Sequence, residues 1–282
     1  MSFDFSKAIK DAESDLKNKK LFLLLLGASG NGKSYALGTF GVKTLYLYMA
    51  SESHGLTSSA SQAGKNLVPV CIDRVQDSDG KEVQLTPDLA IGRLHEILDS
   101  TEGMKKMGIQ AIAVDGVTEL EAAIRETSKY RQMTTTENGK HNGFAEGSAT
   151  LFQFREIIKK LNRAQREIGV HVAMTCILTI KAMNEEGLIT DSSPHSSGYS
   201  VATGIIQQFS DVMVVGKMKK KDKIAYRFQL VAEANRTSTD QNGEIKKLFN
   251  FSPRVTGVDI LSLGASIEAN LAQLITIKEG KQ

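Results

Sequence analysis

A lysine and a serine that close a glycine-rich stretch carry the most specific chemical signal in this sequence. Gly27-Ala28-Ser29-Gly30-Asn31-Gly32-Lys33-Ser34 matches G-x-x-x-x-G-K-[ST] in full. Glycines at this spacing let the chain curl so that backbone N–H groups converge on phosphate oxygens, and a helix starting there adds its positive end to the same point. Lys33 is expected to reach the β- and γ-phosphates, and Ser34 to ligate Mg²⁺ through its hydroxyl. A glycine-rich turn could match by chance. The apolar run before it, Leu21 to Leu26, and the helical pattern after it weigh against that.

Phosphoryl transfer also needs an acidic residue that holds the metal or its water at the end of a neighbouring strand. Asp115 follows the apolar stretch Ile109-Gln110-Ala111-Ile112-Ala113-Val114 and is the candidate, so Ser34 and Asp115 form the expected Mg²⁺ pair. An aspartate there also suits a helix N-cap; its company with the loop favours the metal. Gly116 comes next, so no second carboxylate adjoins Asp115 and a base must come from elsewhere. Glu52 stands three residues beyond the apparent end of the Thr44 to Met49 strand, on the carboxyl edge where open α/β sheets bind ligands. Glu119 competes with it, although a first-turn glutamate also serves the helix dipole.

Other chemistries find little support. His54, His95, His141, His171 and His195 lack ligand spacing, and neither cysteine lies near the other, which argues against zinc. There is no G-x-S-x-G elbow.

Hydrophobic patterning supplies the elements that would hold these residues. Leu21 to Leu26 has the unbroken apolar character of a strand buried on both faces of a parallel sheet. Thr44 to Met49, Leu67 to Ile72, Ile109 to Val114 and Val170 to Cys176 read as further strands. Helices are predicted over Asp4 to Asn18, from Gly32 to about Phe40, behind Thr86-Pro87-Asp88, and from about Ser148 to Ile168. The alternation predicts an α/β fold with a mostly parallel sheet flanked by helices. Val212 to Val215, Ile224 to Ala232 and Lys246 to Phe251 then predict an antiparallel C-terminal extension. The expected organisation is an N-terminal helix over 1–20, one core domain over 21–258 and a C-terminal helix or tail over 259–282. Thr134 to Gly147 and Lys181 to Thr203 read as long loops, a length that is uncommon unless functional.

Composition sets outer bounds. In 282 residues, 35 basic against 32 acidic side chains leave 35 − 32 = +3, too little to mark the whole surface for a polyanion. Cys71 and Cys176 sit in apolar runs, as thiols of a reducing compartment do, so a cytoplasmic protein is expected. No apolar stretch approaches the roughly 20 residues of a membrane span, and Asp4, Asp11, Glu13 and Asp15 argue against a leader.

Several of these pieces, in order, resemble the RecA/DnaB-type ATPases, and in style the small phage RecA-like recombination and annealing proteins. Ala111 to Thr118 is similar to that group's apolar strand with its metal aspartate. Tyr46 to Glu52 resembles the strand whose terminal glutamate activates water. His171 to Cys176 sits where the group has a strand ending in a γ-phosphate sensor. Phe209 to Val214 and Gln229 to Arg236 look like its late strands. The resemblance implies a RecA-like P-loop core, ATP and Mg²⁺ as cofactors, and a catalytic set of Lys33, Glu52, Asp115 and Arg236. Arg236 would reach a neighbouring subunit's nucleotide. Two departures matter: Cys176 replaces the usual glutamine, which either weakens γ-phosphate sensing or passes it to Thr175, and Ala234 replaces the lysine of a lysine-x-arginine element.

The resemblance further implies a homo-oligomeric ring or filament acting on single-stranded DNA, with the two long loops facing the DNA. Tyr130, Phe144 and Tyr199 are the aromatics on hand for stacking, and Lys217, Lys219, Lys220, Lys221 and Lys223 form the densest cation cluster. A P-loop motor or assembly factor acting on a protein partner is the alternative, favoured by acidic residues in the second loop. A small-molecule kinase fits less well because no arginine-rich lid is visible.

Overall fold

The computed structural model describes residues 20–183, 189–196, 199–220, 223–229, 253–259, 263 and 266–280. The first apolar run forms β1 (Phe22–Gly27), buried throughout. Phe22, Leu24 and Leu26 face one core, whereas Leu21, Leu23 and Leu25 face another. Burial on both sides is why this strand shows no polar alternation.

The chain continues through α1 (Lys33–Leu37), β2 (Thr44–Tyr48), α2 (Ser53–Ala63) and β3 (Leu67–Cys71). A separate hairpin, β4 (Arg74–Gln76) with β5 (Glu82–Gln84), precedes α3 (Pro87–Asp99). Thr86 caps α3 by accepting the Leu89 N–H, and Pro87 fills a first-turn position where its missing N–H costs nothing. Next come α4 (Thr101–Lys106), β6 (Ala111–Asp115), α5 (Val117–Arg125), α6 (Ser128–Thr134) and α7 (Glu146–Ile168). Phe154, Ile157, Ile158, Leu161 and Ala164 of α7 are buried, the large ones contributing roughly 1.5–3 kcal/mol each. The last described elements are β7 (His171–Met183), β8 (Ile189–Pro194), α8 (Tyr199–Ile206), β9 (Asp211–Lys220), β10 (Lys223–Gln229), β11 (Ser266–Glu268) and α9 (Leu271–Glu279).

The main sheet has the order β11-β10-β9-β1-β7-β6-β2-β3, with β8 added to β7. From β9 to β3 all pairings are parallel, while β10, β11 and β8 pair antiparallel. The protein is therefore α/β, with a large, mostly parallel central sheet flanked by helices.

Three expectations need correction. The strand carrying Asp115 does not adjoin β1, because β7 lies between them. Lys181 to Thr203 contains regular structure among its described residues: β7 runs on to Met183, β8 returns along it, and α8 covers Tyr199 to Ile206. Thr134 to Gly147 begins and ends in helices, and its centre is a short turn closed by a Thr135–His141 bridge. The C-terminal segment also adds a strand, β11, and its helix packs Leu271 and Leu274 into the second core. The predicted elements at Asp4 to Asn18 and Lys246 to Phe251, and Arg236, lie outside the described residues.

Candidate functional site

Beyond β1 the chain curls back on itself. Gly30 and Gly32 adopt φ of 75° and 85°, the left-handed region that glycine enters at least cost. The Asn31 N–H closes the turn on the Ala28 carbonyl at 3.2 Å. Gly32 has a second reason to be glycine, since a Cβ there would run into the Tyr226 ring. Lys33 folds over this loop and donates from Nζ to the carbonyls of Gly27 (3.0 Å) and Ala28 (3.1 Å). Burial lowers its pKa, and Asp115, Cys176 and Glu52 pull the other way. Asn31 reaches sideways to the Val215 carbonyl of β9 at 3.4 Å, fixing the loop's flank.

Asp115 ends β6 almost fully buried. Its Oδ2 accepts the Tyr46 hydroxyl and its Oδ1 the Thr175 hydroxyl. Those residues come from β2 and β7, the strands on either side of β6, so the carboxylate is braced from both neighbours. Tyr46 is held as the neutral phenol, its pKa raised by burial and then by Asp115. The Thr175 hydroxyl has one proton and gives it to Asp115; toward a phosphate it presents only lone pairs. Thr175 therefore braces Asp115 in this arrangement.

Gly55 brings the metal candidates together. A Cβ on it would overlap Asp115 Oδ2 and come within 2.9 Å of Ser34 Oγ. The carboxylate and hydroxyl thus converge on one spot from separate elements, and α2 is tied down there by Ser59, whose hydroxyl donates to the Ser34 carbonyl. Hard oxygen donors of this kind suit Mg²⁺, which keeps most of its shell for water and phosphate. The residues fit such an ion. Among the described residues no group of three or more His, Cys, Asp or Glu converges.

Glu52 ends a 3₁₀ turn, Ala50–Glu52, directly before α2. A Cβ on Gly116 would lie 3.4 Å from Glu52 Oε1 and 3.6 Å from Thr175 Oγ1, so the glutamate reaches the Asp115 end of the cleft. Burial raises its pKa, followed by the nearby charges of Asp115 and Glu119, with Lys33 opposing. Glu119 lies in the first turn of α5, accepts the Ser51 hydroxyl at 3.2 Å and does not line the cleft.

The cleft has a volume of about 290 Å³ and is bounded by Ser29, Gly30, Gly32, Lys33 and Ser34 of the loop, together with Glu52, Asp115 and Thr175. The Gly27 and Ala28 carbonyls accept from the Lys33 ammonium, and Asn31 closes the turn, without lining the cleft. Arg236 lies outside the described residues. Sequence reasoning missed Tyr46, Gly55, Tyr35 and Tyr226. Of these only Gly55 left a local signal, a glycine inside a helix three residues after the base candidate. No protein-family model and no curated protein matches this chain. No helix among the described residues is long and apolar enough to cross a membrane.

Proposed function

We propose that this chain is a RecA-like P-loop ATPase that binds ATP with Mg²⁺ and hydrolyses it. It would work as a homo-oligomeric ring or filament on single-stranded DNA, in phage-type recombination, annealing or replication, in the cytoplasm. The observation that carries the hydrolytic reading is that Lys33, Ser34, Asp115 and Glu52 meet in one cleft at the carboxyl edge of a parallel sheet.

Each residue has a defined task. Loop amides and Lys33 hold the β- and γ-phosphates. Ser34 and the braced Asp115 would hold Mg²⁺, which neutralises charge on the phosphate oxygens. Glu52 accepts a proton from the attacking water as its oxygen bonds to the γ-phosphorus and the bridging oxygen leaves with ADP. Its raised pKa makes it a stronger base than an ordinary carboxylate.

The DNA reading is supported by the resemblance and by the segment between α6 and α7. Phe144 is 100% exposed there, on a turn whose N–H bonds to Asn142 Oδ1 at 3.1 Å, and Lys140 and His141 lie in the same segment. A lysine in the same segment as an open aromatic face is a combination that single-strand binders use. The test is phosphate release by the full chain with and without single-stranded DNA at low salt. Turnover should rise with DNA, and binding should weaken steeply as salt is added. Turnover indifferent to DNA would remove the DNA partner and favour a protein partner instead.

A further inference from the structure

Tyr35 and Tyr226 form a ring pair that phosphate chemistry leaves unused. Their centroids are 5.1 Å apart at an interplanar angle of 44°, and both line the cleft that holds Lys33 and Asp115. Tyr35 follows Ser34 on α1. Tyr226 comes from β10 and lies over Gly32. Both are only half-buried, so ring surface is left for a flat apolar partner.

Sheet order determines which end of a nucleotide would meet them. Asp115 stands on β6, two strands to one side of β1, and Tyr226 on β10, two strands to the other. Leu26 of β1 is paired with Val214, and Tyr226 with Lys217 three residues further along β9. Tyr226 therefore stands beyond the carboxyl end of β1, level with the loop. Four strand spacings of about 4.8 Å separate the two residues by about 19 Å across the sheet. Glu52 and Thr175 crowd the Asp115 side, where the reacting terminal phosphate belongs. A triphosphate gripped by the loop between them sends its sugar and base the other way, towards Tyr35 and Tyr226.

We propose that Tyr35 and Tyr226 are the nucleobase platform of this cleft, a role that rests on the phosphate-loop reading above. Ring faces stack on any base and read none of its edge. Stacking area then sets the preference: purine nucleotides bind better than pyrimidine nucleotides, and ATP and GTP bind alike.

The experiment is calorimetric titration of the full chain with the Mg²⁺ complexes of ATP, GTP, CTP and inorganic tripolyphosphate, using wild type, Tyr226→Ala, Tyr226→Phe and Tyr35→Ala. Tyr226→Ala should weaken ATP about tenfold, the order of one lost stack, and leave tripolyphosphate unchanged. Tyr226→Phe should keep ATP binding, and Tyr35→Ala should act in the same direction as Tyr226→Ala. Because the chain has no tryptophan, Tyr226→Trp adds a sole indole whose emission ATP should quench and tripolyphosphate should not. Equal loss of ATP and tripolyphosphate in Tyr226→Ala would overturn the proposal by making Tyr226 a support for the loop. Unaltered ATP binding, or a strong wild-type preference for ATP over GTP, would overturn it as well. Should Tyr226→Ala fail to fold, Tyr35→Ala and Tyr226→Trp decide. Wild type that binds neither ATP nor tripolyphosphate removes the phosphate-loop reading and the platform together; tripolyphosphate bound as tightly as ATP removes the platform alone.

Discussion

Gly55 backs directly onto Asp115, so closely that a single added methyl would overlap the carboxylate and press on Ser34. Gly55→Ala should lower Mg²⁺-dependent ATP turnover on the order of 10²-fold, as small misplacements in such sites do. Alanine favours a helix by about 1 kcal/mol over glycine, so α2 should survive the change. Phosphate release across a Mg²⁺ titration, with circular dichroism as the control, checks this. Wild-type turnover in Gly55→Ala would mean that the Asp115–Ser34 spot holds no ion or water that matters.

The pH profile should report Glu52. A base works ionised, and burial with Asp115 and Glu119 raises its pKa, so the acid limb of turnover should lie above the ordinary carboxylate range. Glu119→Gln removes one of the raising charges and should move that limb to lower pH. The linked effect on stability has the opposite sense. A carboxyl whose folded pKa is raised stabilises the fold below its unfolded pKa and loses that contribution as pH climbs through the folded value. Glu52→Gln should therefore be more stable than wild type at neutral pH and lose that advantage in acid, which thermal melts over a pH series would show.

At the far end of the sheet, Lys278 and Asp211 form an ion pair with side-chain exposures of 5% and 0%. Asp211 also accepts the Phe22 N–H and the Thr256 N–H, both at 2.8 Å, joining β1, β9 and α9 in one buried knot. Lys278→Ala leaves the carboxylate without its cation and should cost about 3–5 kcal/mol. Urea unfolding measures it. A loss no greater than that of a surface substitution would show that α9 contributes little to the fold.

Cys176 should be inert in the native protein. It is buried, and desolvation pushes its thiol pKa up to about 12, so almost no thiolate forms at neutral pH. Cys71 is half-buried and also raised, by burial and the neighbouring Asp73. Mass spectrometry after mild alkylation should find Cys176 unmodified until denaturant is added. Fast native labelling of Cys176 would contradict its burial in the core.

What was legible in the sequence was what local spacing encodes. β1 and the loop were readable because a strand buried on two faces is continuously apolar and a tightly curled loop needs glycines where φ is positive. Thr86-Pro87 marked the start of α3 for the same kind of reason. Partners across the sheet were not readable. Thr175 braces Asp115 from 60 residues away, and the insertion of β7 between β6 and β1 follows from chain topology, which no short motif records. Lys181 to Thr203 misled because its Ser, Thr and Gly content resembles a loop, whereas pairing of β8 along β7 makes much of it strand.

The most direct test of the proposed hydrolytic role separates binding from turnover: MgATP affinity and phosphate release in wild type, Lys33→Ala and Glu52→Gln. Lys33→Ala should lose affinity, and Glu52→Gln should bind as wild type does while releasing phosphate about 10²-fold or more slowly. Glu52→Gln turning over at the wild-type rate, or Lys33→Ala binding MgATP unimpaired, would contradict the assignment of this cleft.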